Sequence, residues 1–237
     1  MRPILRRSPF SSIGKIVVFL FISLIALRVI TDVIVILRIE LMRHEISTRF
    51  PGYGEERLER WYELVLAGKS LKDMQKLTHV NMFFHENVRY EYDIMQYDEE
   101  DYWASPVELL GSGSGDCEDW AIAKYMTLKI LGVDEDKLRL IYVQYTDMTE
   151  PGSRPIAHMV LGYYAQPNAE PWILDSLTPQ VSAASKRKDL KPVFSFNSQG
   201  LWAGEGNVKS SKSSVAKLSK WRSVLERSNQ EGIVFKG

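Results

Sequence analysis

The sequence predicts an α+β fold in which N-terminal helices precede a further helix that packs on an antiparallel sheet. Apolar residues recur at spacings of three and four between residues 53 and 88, which is helical periodicity. A second run of helix-forming residues covers 117–131 and ends at Gly132. Three later segments are rich in β-branched and aromatic residues and are separated by turn-forming residues. This order of elements, with helices first and strands last, indicates a layer of helices and a sheet packed around one core.

Composition limits the domain count and the class of partner. The chain has 237 residues, of which 45% are apolar and 25% charged, so we expect one globular domain over residues 41–237 and a short appendage over residues 1–40. Thirty basic and thirty acidic residues cancel, so no net charge indicates nucleic acid as a partner. A single cysteine, Cys117, excludes an intramolecular disulfide and every multicysteine metal site.

The N-terminal appendage has the composition of a membrane-targeting segment. Residues 16–37 are almost uninterrupted apolar sequence and follow several arginines. Arg28 and Asp32 interrupt the run, and their cost nearly cancels the insertion free energy of the apolar residues, so a permanent span would be marginal. We predict a signal-anchor or signal peptide that places the rest of the chain in a bacterial-type periplasm. A buried core helix is the alternative.

The first part of the domain is predicted to consist of two packed helices divided at Gly68. The stretch that follows, 89–107, is interpreted as a loop whose acidic residues form a solvated face. These acidic residues are Asp93, Asp98, Glu99, Glu100 and Asp101.

The helix over 117–131 begins at the cysteine, directly after the run GSGSGD. A thiol in a first helical turn lies at the positive end of the helix dipole, where free N–H groups stabilise a thiolate or an oxyanion. The glycine run has neither the spacing of a dinucleotide-binding loop nor that of a nucleophile elbow. We expect a flexible loop that leaves room for a substrate backbone beside Cys117.

Strands are predicted over residues 138–145, 156–164 and 171–175. A hairpin closing through 166–169 places Val160 opposite Asp175, with His158 on the same face and within reach of a hydrogen bond. A histidine in an apolar strand needs such a partner, since burial without one costs free energy. The alternative is that His158 is a core histidine whose hydrogen bonds are satisfied and which has no catalytic role. After Asp175, a basic, serine-rich stretch leads to a final predicted helix over 214–227.

The other histidines carry no predicted catalytic role. His44 lies in the stalk beside the appendage, and His79 and His85 are interpreted as surface or packing residues.

Helix and strand lengths return the chain to the level of Cys117, so the thiol, His158 and Asp175 form a predicted Cys-His-Asp triad. In that arrangement His158 accepts the thiol proton and Asp175 orients the imidazole, which suits peptide hydrolysis or acyl transfer. A transglutaminase or other acyltransferase using the same triad remains open. An exported binding module without catalytic activity also remains open, and in that case Cys117 only packs in the core.

The segments GDCEDWAIAKY, AHMVLGYY and WILDSLTPQV resemble the bacterial transglutaminase-like cysteine proteinases of the LapG type. The segments KLTHVNMFFHENVRY, YWASPVELL and FSFNSQGLW fit as well, so the resemblance covers about residues 50–225. It implies a papain-like, transglutaminase-like cysteine protease fold with Cys117 as nucleophile, His158 as base and Asp175 as orienting acid.

The resemblance also implies calcium as a cofactor. The matching acids around the cysteine are Asp116, Glu118 and Asp119, and three acids leave ligand positions that carbonyls, water or another side chain must fill. Asp147 is one candidate. The alternative is that Asp116 caps the helix while Glu118 and Asp119 complement its dipole.

By resemblance, the protein substrate is a large surface adhesin that is cut near its N terminus after small residues such as Ala-Ala. Cleavage releases the adhesin and promotes biofilm dispersal. The implied partner is an inner-membrane cyclic di-GMP receptor that sequesters the protease. The apolar segment before residue 40 departs from a freely diffusing periplasmic protease, since it would tether the chain to the inner membrane.

Overall fold

The computed structural model describes residues 38–203 and 212–233. The predicted apolar segment over 16–37 lies outside these residues. The chain divides into two compact units, Met1–Leu41 and Met42–Gly237. Within the described residues, no helix has both the length and the apolar character that crossing a membrane requires.

Within the described residues, five helices precede Cys117. Helix α1 covers residues 38–49, α2 covers Gly54–Gly68, α3 covers Asp73–Asn87, α4 covers Asp93–Gln96 and α5 covers Pro106–Ser112. The predicted helix pair is therefore confirmed as α2 and α3. Their apolar stripes are buried, with Leu58 and Leu77 fully enclosed.

The stretch between α3 and the cysteine is more ordered than the sequence indicated. Strand β1 (Arg89–Tyr90) pairs in parallel with β2 (Ser114–Gly115), and α4 and α5 lie between them. The expectation of a flexible glycine loop is wrong, because each glycine has a structural reason. Gly111 lies against the ring of Phe50, and Gly113 ends α5 in a left-handed conformation at φ 72°.

Helix α6 (Cys117–Ile130) is the centre of the domain. Every residue from Cys117 to Leu128 is buried. The helix packs against α3 and α5 on one side and against the sheet on the other, which explains why even its polar residues are enclosed. The C-terminal helix α7 covers Lys212–Gln230 and confirms the last predicted helix.

In the part of the chain that the structure describes, the main sheet has six antiparallel strands. They are β3 (Leu138–Tyr145), β4 (Ile156–Tyr163), β5 (Trp172–Leu174), β6 (Ser182–Ala183), β7 (Leu190–Phe196) and β8 (Leu201–Ala203), in the order β6-β5-β4-β3-β7-β8. The first three confirm the predicted strands. The predicted hairpin register is also confirmed, since Leu161 pairs with Leu174 and Tyr163 with Trp172.

The two faces of the sheet bury different residues. On the inner face, a row of fully buried side chains meets the helices: Phe196, Leu140, Leu161 and Leu174. Phe196 contacts Trp221 of α7, which in turn contacts Tyr125 of α6. The outer face carries a smaller apolar cluster of Ile141, Val143, Val160 and Ile173.

Candidate active site

Cys117 is the first residue of α6, and a helix cap fixes its position. The Asp116 carboxylate accepts a hydrogen bond from the Glu118 N–H at 3.1 Å, and the Asp116 N–H donates to Asp119 at 3.3 Å. This reciprocal capping box determines where α6 begins. The thiol therefore lies in the first turn, as the sequence predicted, and the capping role considered for Asp116 is present.

The thiol is buried and lies against strand β4. Cys117 is 6% exposed, and its Sγ donates to Glu118 Oε2 at 2.6 Å. The main-chain N–H of Met159 donates to the same sulfur. That N–H belongs to the peptide bond that follows His158, so the sulfur lies one residue from the predicted base.

Three influences raise the pKa of the Cys117 thiol well above its ordinary value. Burial is the largest, and the negative charges of Glu118 and Asp116 add to it, while the N–H of Met159 acts in the opposite direction. Neutralisation of these carboxylates would therefore favour the thiolate.

His158 and Asp175 form the pair that the strand register predicted. His158 Nε2 lies 2.7 Å from Asp175 Oδ1, and both residues are almost fully buried. This bond leaves Nδ1 as the second ring nitrogen for proton exchange. Arg187 Nη2 donates to Asp175 Oδ2 at 2.7 Å, and the Leu177 N–H donates to Oδ1 at 3.0 Å.

The Asp175 carboxylate is held in its ionised form. Burial alone would raise its pKa, but the hydrogen bond and charge of His158, the Leu177 N–H and the charge of Arg187 outweigh burial. The net effect holds the pKa of Asp175 below its ordinary range. An ionised acid at this position can orient the imidazole and stabilise its protonated form.

Two further side chains hold the main chain of Asp175. His85 Nε2 lies 2.9 Å from the Asp175 carbonyl oxygen, and Lys124 Nζ donates to that oxygen at 2.8 Å. Burial lowers the pKa of Lys124 to about 7. His85 also packs edge-on against Trp120, as expected of a packing residue. Its contact with the Asp175 carbonyl oxygen was not predicted.

A cluster of three carboxylates lies beside the thiol. Ligand atoms of Asp93, Asp116 and Asp119 all lie within 4.8 Å of one another. Burial and the neighbouring negative charges raise the pKa of Asp116 to about 10 and that of Asp93 to about 6, and burial raises the pKa of Asp119 as well. Like charges confined in this way attract a cation.

Asp93 corrects one expectation. The acidic stretch was interpreted as a solvated face, and Asp98, Glu99 and Glu100 are indeed exposed. Asp93, however, is 4% exposed, and its Oδ2 accepts from the Tyr102 N–H at 2.7 Å. Its Oδ1 is buried and has no hydrogen-bond partner among the described residues.

The other predicted acids have different surroundings. Glu118 does not belong to the three-carboxylate cluster; its carboxylate lies with Cys117 and Asp116 in an adjoining group and approaches Lys217 at 3.5 Å. Asp147 accepts hydrogen bonds from the main chain and side chain of Thr149. Asp93, and not Asp147, is therefore the additional carboxylate beside Asp116 and Asp119.

Sequence reasoning missed Asp93, Lys124 and Arg187 as components of the site. A lysine among apolar helix residues was a usable signal for Lys124, since a buried ammonium needs an acceptor. Asp93 and Arg187 had no comparable signal, because each lies in a stretch of like-charged surface residues.

The thiol lies on the first turn of a buried helix with the Met159 N–H at its sulfur, and the residue before Met159 is a histidine bonded to an acid on the neighbouring antiparallel strand. A helix-borne thiol with a histidine–acid pair on adjacent strands is typical of the papain-like and transglutaminase-like class of cysteine proteases.

Comparison with known proteins agrees with this class. Residues 63–189 match the family described as bacterial transglutaminase-like cysteine proteinase, BTLCP. The structure of Legionella pneumophila LapG is 38% identical, with 80% of this chain and 96% of that chain covered and a TM-score of 0.65. Its calcium-bound form is 39% identical over 80% and 98% of the two chains, with a TM-score of 0.65. Its EGTA-treated form is 38% identical over 80% of this chain and 96% of that chain, with a TM-score of 0.66. No curated protein matches the chain.

The chain therefore belongs to the bacterial transglutaminase-like cysteine proteinase family. The resemblance identified from its sequence segments is confirmed, and so is the α+β, transglutaminase-like fold class.

Proposed function

We propose that this protein is a calcium-dependent cysteine endopeptidase that cleaves a large surface adhesin near its N terminus, after small residues such as Ala-Ala. Release of the adhesin would promote biofilm dispersal. The observation that carries the proposal is the 2.7 Å bond between His158 and Asp175, next to the peptide that contacts the Cys117 thiol.

Each member of the triad has a distinct role in hydrolysis. The His158 imidazole accepts the thiol proton of Cys117, and the resulting thiolate attacks the carbonyl carbon of the scissile bond. The protonated imidazole then gives its proton to the leaving amine, and a thioester remains on the sulfur. Water, deprotonated by His158, hydrolyses the thioester and regenerates the thiol. Asp175 keeps the imidazole oriented and stabilises its charged form.

The residues beside the thiol fit a calcium ion. Asp93, Asp116 and Asp119 offer converging carboxylate oxygens, and the buried Oδ1 of Asp93 has no partner among the described residues. Glu118 adjoins this set through Asp116. When bound, calcium would supply positive charge beside the thiol. The calcium-bound structure of Legionella pneumophila LapG supports the choice of ion.

The cellular setting completes the proposal. We place the domain in the periplasm, with residues 1–40 as a signal peptide or as a signal-anchor that tethers the domain to the inner membrane. An inner-membrane cyclic di-GMP receptor would sequester the protease. These assignments rest on the N-terminal sequence and on the family resemblance.

The first prediction concerns the nucleophile and the base. We expect Cys117→Ala and His158→Ala each to abolish cleavage of an adhesin N-terminal fragment, because the first removes the attacking sulfur and the second the proton acceptor. Cleavage is measured by gel electrophoresis and mass spectrometry, and folding by thermal unfolding.

His79→Ala is the matched control, since His79 is an exposed histidine and should leave the rate unchanged. Cleavage that persists in Cys117→Ala would exclude the nucleophile. An added amine donor distinguishes hydrolysis from acyl transfer: incorporation of the amine in place of water would favour the transglutaminase alternative.

The second prediction concerns calcium. We expect EGTA to stop cleavage and calcium, but not magnesium, to restore it, because magnesium requires a tighter octahedral shell. Asp93→Asn should raise the calcium concentration needed for half-maximal activity at least about tenfold by removing one anionic ligand.

Asp98→Asn is the matched control, because Asp98 is an exposed acid in the same stretch. Calcium binding is measured directly by calorimetry on the Cys117→Ala protein. Full activity in EGTA would contradict calcium dependence and leave Asp116, Glu118 and Asp119 with the capping and helix-dipole role alone.

A further inference from the structure

The outer face of the sheet contains a cavity of about 320 Å³. Its floor is the apolar cluster of Ile141, Val143, Val160 and Ile173, and its walls include Tyr164 and Trp202. Cavities of this size with an apolar floor commonly hold small molecules. We call it the outer-face cavity.

Arg139 lines the outer-face cavity and is held between two aromatic rings. Its guanidinium carbon lies 4.5 Å from the Tyr164 ring centroid and 4.1 Å from that of Trp202. It also hydrogen-bonds the Tyr164 hydroxyl. Its Nε, however, is buried and has no hydrogen-bond partner among the described residues.

Arg187 supplies a second guanidinium to the same cavity. Its Nε bonds Asp189 and its Nη2 bonds both Asp189 and Asp175, but its Nη1 is buried without a partner in the described part of the chain. A buried donor without an acceptor destabilises the fold, so two such donors among the residues of one cavity indicate a missing acceptor.

From these contacts we propose that the outer-face cavity binds a small carboxylate with an apolar tail. The carboxylate accepts from Arg139 Nε and Arg187 Nη1, and the tail covers the apolar floor. An arginine presents planar N–H donors that suit a carboxylate. An inorganic anion would leave the floor uncovered, and an uncharged apolar molecule would leave both donors unpaired.

Arg187 connects the cavity to the candidate active site, because the guanidinium that would bind the ligand also bonds Asp175. A carboxylate on Nη1 shares the positive charge that now stabilises Asp175. Ligand binding therefore weakens the orientation of His158 and lowers the rate of cleavage. This second step rests on the proposed protease function, whereas the binding step does not.

The binding step is tested by calorimetry on the full-length chain with octanoate and, as the uncharged match, 1-octanol. We expect saturable binding of one octanoate per chain and at least about tenfold weaker binding of octanol, since the charge-assisted hydrogen bonds are lost. Arg139→Gln should weaken octanoate binding by a similar factor, and Arg222→Gln, an exposed arginine on α7, should not.

Ala184→Leu provides a second variant that fills the cavity without removing a charge, and thermal unfolding checks that each variant is folded. Equal affinity for octanoate and octanol, no saturable binding, or binding that neither Arg139→Gln nor Ala184→Leu weakens would overturn the site. Binding only of acidic peptides would assign the cavity to a protein partner and overturn the small-molecule proposal.

The coupling step is tested by the rate of adhesin-fragment cleavage. Saturating octanoate should slow the wild type at least about twofold and leave Arg139→Gln unchanged at the same concentration. Octanoate binding with an unchanged cleavage rate overturns the coupling alone. Octanoate binding by a chain that cleaves no adhesin fragment under any condition overturns the protease function and leaves the binding site intact.

Discussion

At the scale of single residues, Asp175 illustrates how one buried carboxylate is kept ionised. Its side chain accepts from His158, Arg187 and the Leu177 N–H, and its carbonyl accepts from Lys124. These partners come from α6, from β4 and from the segments before and after β6. The position of the acid is therefore determined by the whole domain, while its pairing with His158 follows from local strand register.

The third prediction tests whether this ionised state stabilises the fold. Asp175→Asn should lower the free energy of unfolding by about 3 kcal/mol near neutral pH, because Arg187 would lose its buried partner. The pKa of Asp175 is lower in the folded protein, so its contribution is fully present above the ordinary aspartate pKa of about 3.9. The contribution is lost as the pH falls further, toward the folded value.

Urea unfolding at pH 7, 5 and 3 measures this dependence. The difference between the wild type and Asp175→Asn should be equal at pH 7 and 5 and smaller at pH 3. Asp136→Asn replaces an exposed acid and should leave the free energy of unfolding unchanged at all three pH values. A difference that does not depend on pH would mean that lost packing, and not lost charge, accounts for the effect.

Single residues also mark the limit of prediction from the sequence. His158 and Asp175 could be paired because a short hairpin leaves only one register, and the alternation of side chains then decides which residues share a face. Asp93 could not be assigned to the site, because no local rule distinguishes this buried carboxylate from the other four acids in the same stretch. Its burial depends on packing against Tyr102 and the start of α6.

At the scale of elements, the glycine run shows why a motif needs its three-dimensional surroundings. The residues of GSGSG end α5, form the left-handed cap at Gly113 and pair β2 with β1. Arg57 of α2 crosses this turn, and its guanidinium donates to the carbonyls of Asn87 and Leu110. The glycine at position 113 therefore provides space for another part of the protein, the Arg57 side chain.

The fourth prediction follows from the two glycines that end α5 and α6. Gly113 and Gly132 both have positive φ, at 72° and 84°, but an added methyl group would collide with the Arg57 guanidinium at Gly113 and meet open space at Gly132. Gly132→Ala should cost about 1 kcal/mol from backbone strain alone. Gly113→Ala should cost about 2 kcal/mol more, because Arg57 must also move.

Both variants are compared with the wild type by urea unfolding at neutral pH. Equal losses of stability in the two variants would show that strain at φ accounts for the whole effect and that Arg57 adapts without cost. Since each variant changes one glycine to alanine, side-chain size is matched.

Strand β7 was missed for a different physical reason. Its sequence, LKPVFSF, contains a proline, which cannot donate a hydrogen bond and so argues against a strand inside a sheet. The sheet accommodates Pro192 at an irregularity: the register between β3 and β7 shifts between Tyr142 and Val143. Sequence periodicity does not indicate such shifts, since they depend on the neighbouring strand.

At the scale of the whole molecule, ion pairs join segments that are distant in sequence. Arg49, at the end of α1, contacts Glu108 of α5 and Glu231, which follows α7, each at 2.6 Å. Both acids are almost fully buried, and Ser105 also bonds Glu231. Removal of the guanidinium would leave two enclosed carboxylates with fewer partners.

The fifth prediction compares this pair of contacts with a surface ion pair of the same length. Arg60 lies 2.6 Å from Glu56 on α2, but both side chains are more than half exposed. Arg49→Gln should lower the free energy of unfolding by about 2 kcal/mol, a value below that of a fully buried pair because Arg49 is itself partly exposed. Arg60→Gln should cost at most about 0.5 kcal/mol.

Salt distinguishes the two cases. Raising the ionic strength to about 1 M shortens the screening length to about 3 Å, which should remove the small effect of Arg60→Gln and leave most of the effect of Arg49→Gln. Urea unfolding of the three proteins at low and high salt measures both quantities. If salt removes the loss in Arg49→Gln as well, the carboxylates of Glu108 and Glu231 are accessible to solvent ions, and the C-terminal segment is not held by a buried ion pair.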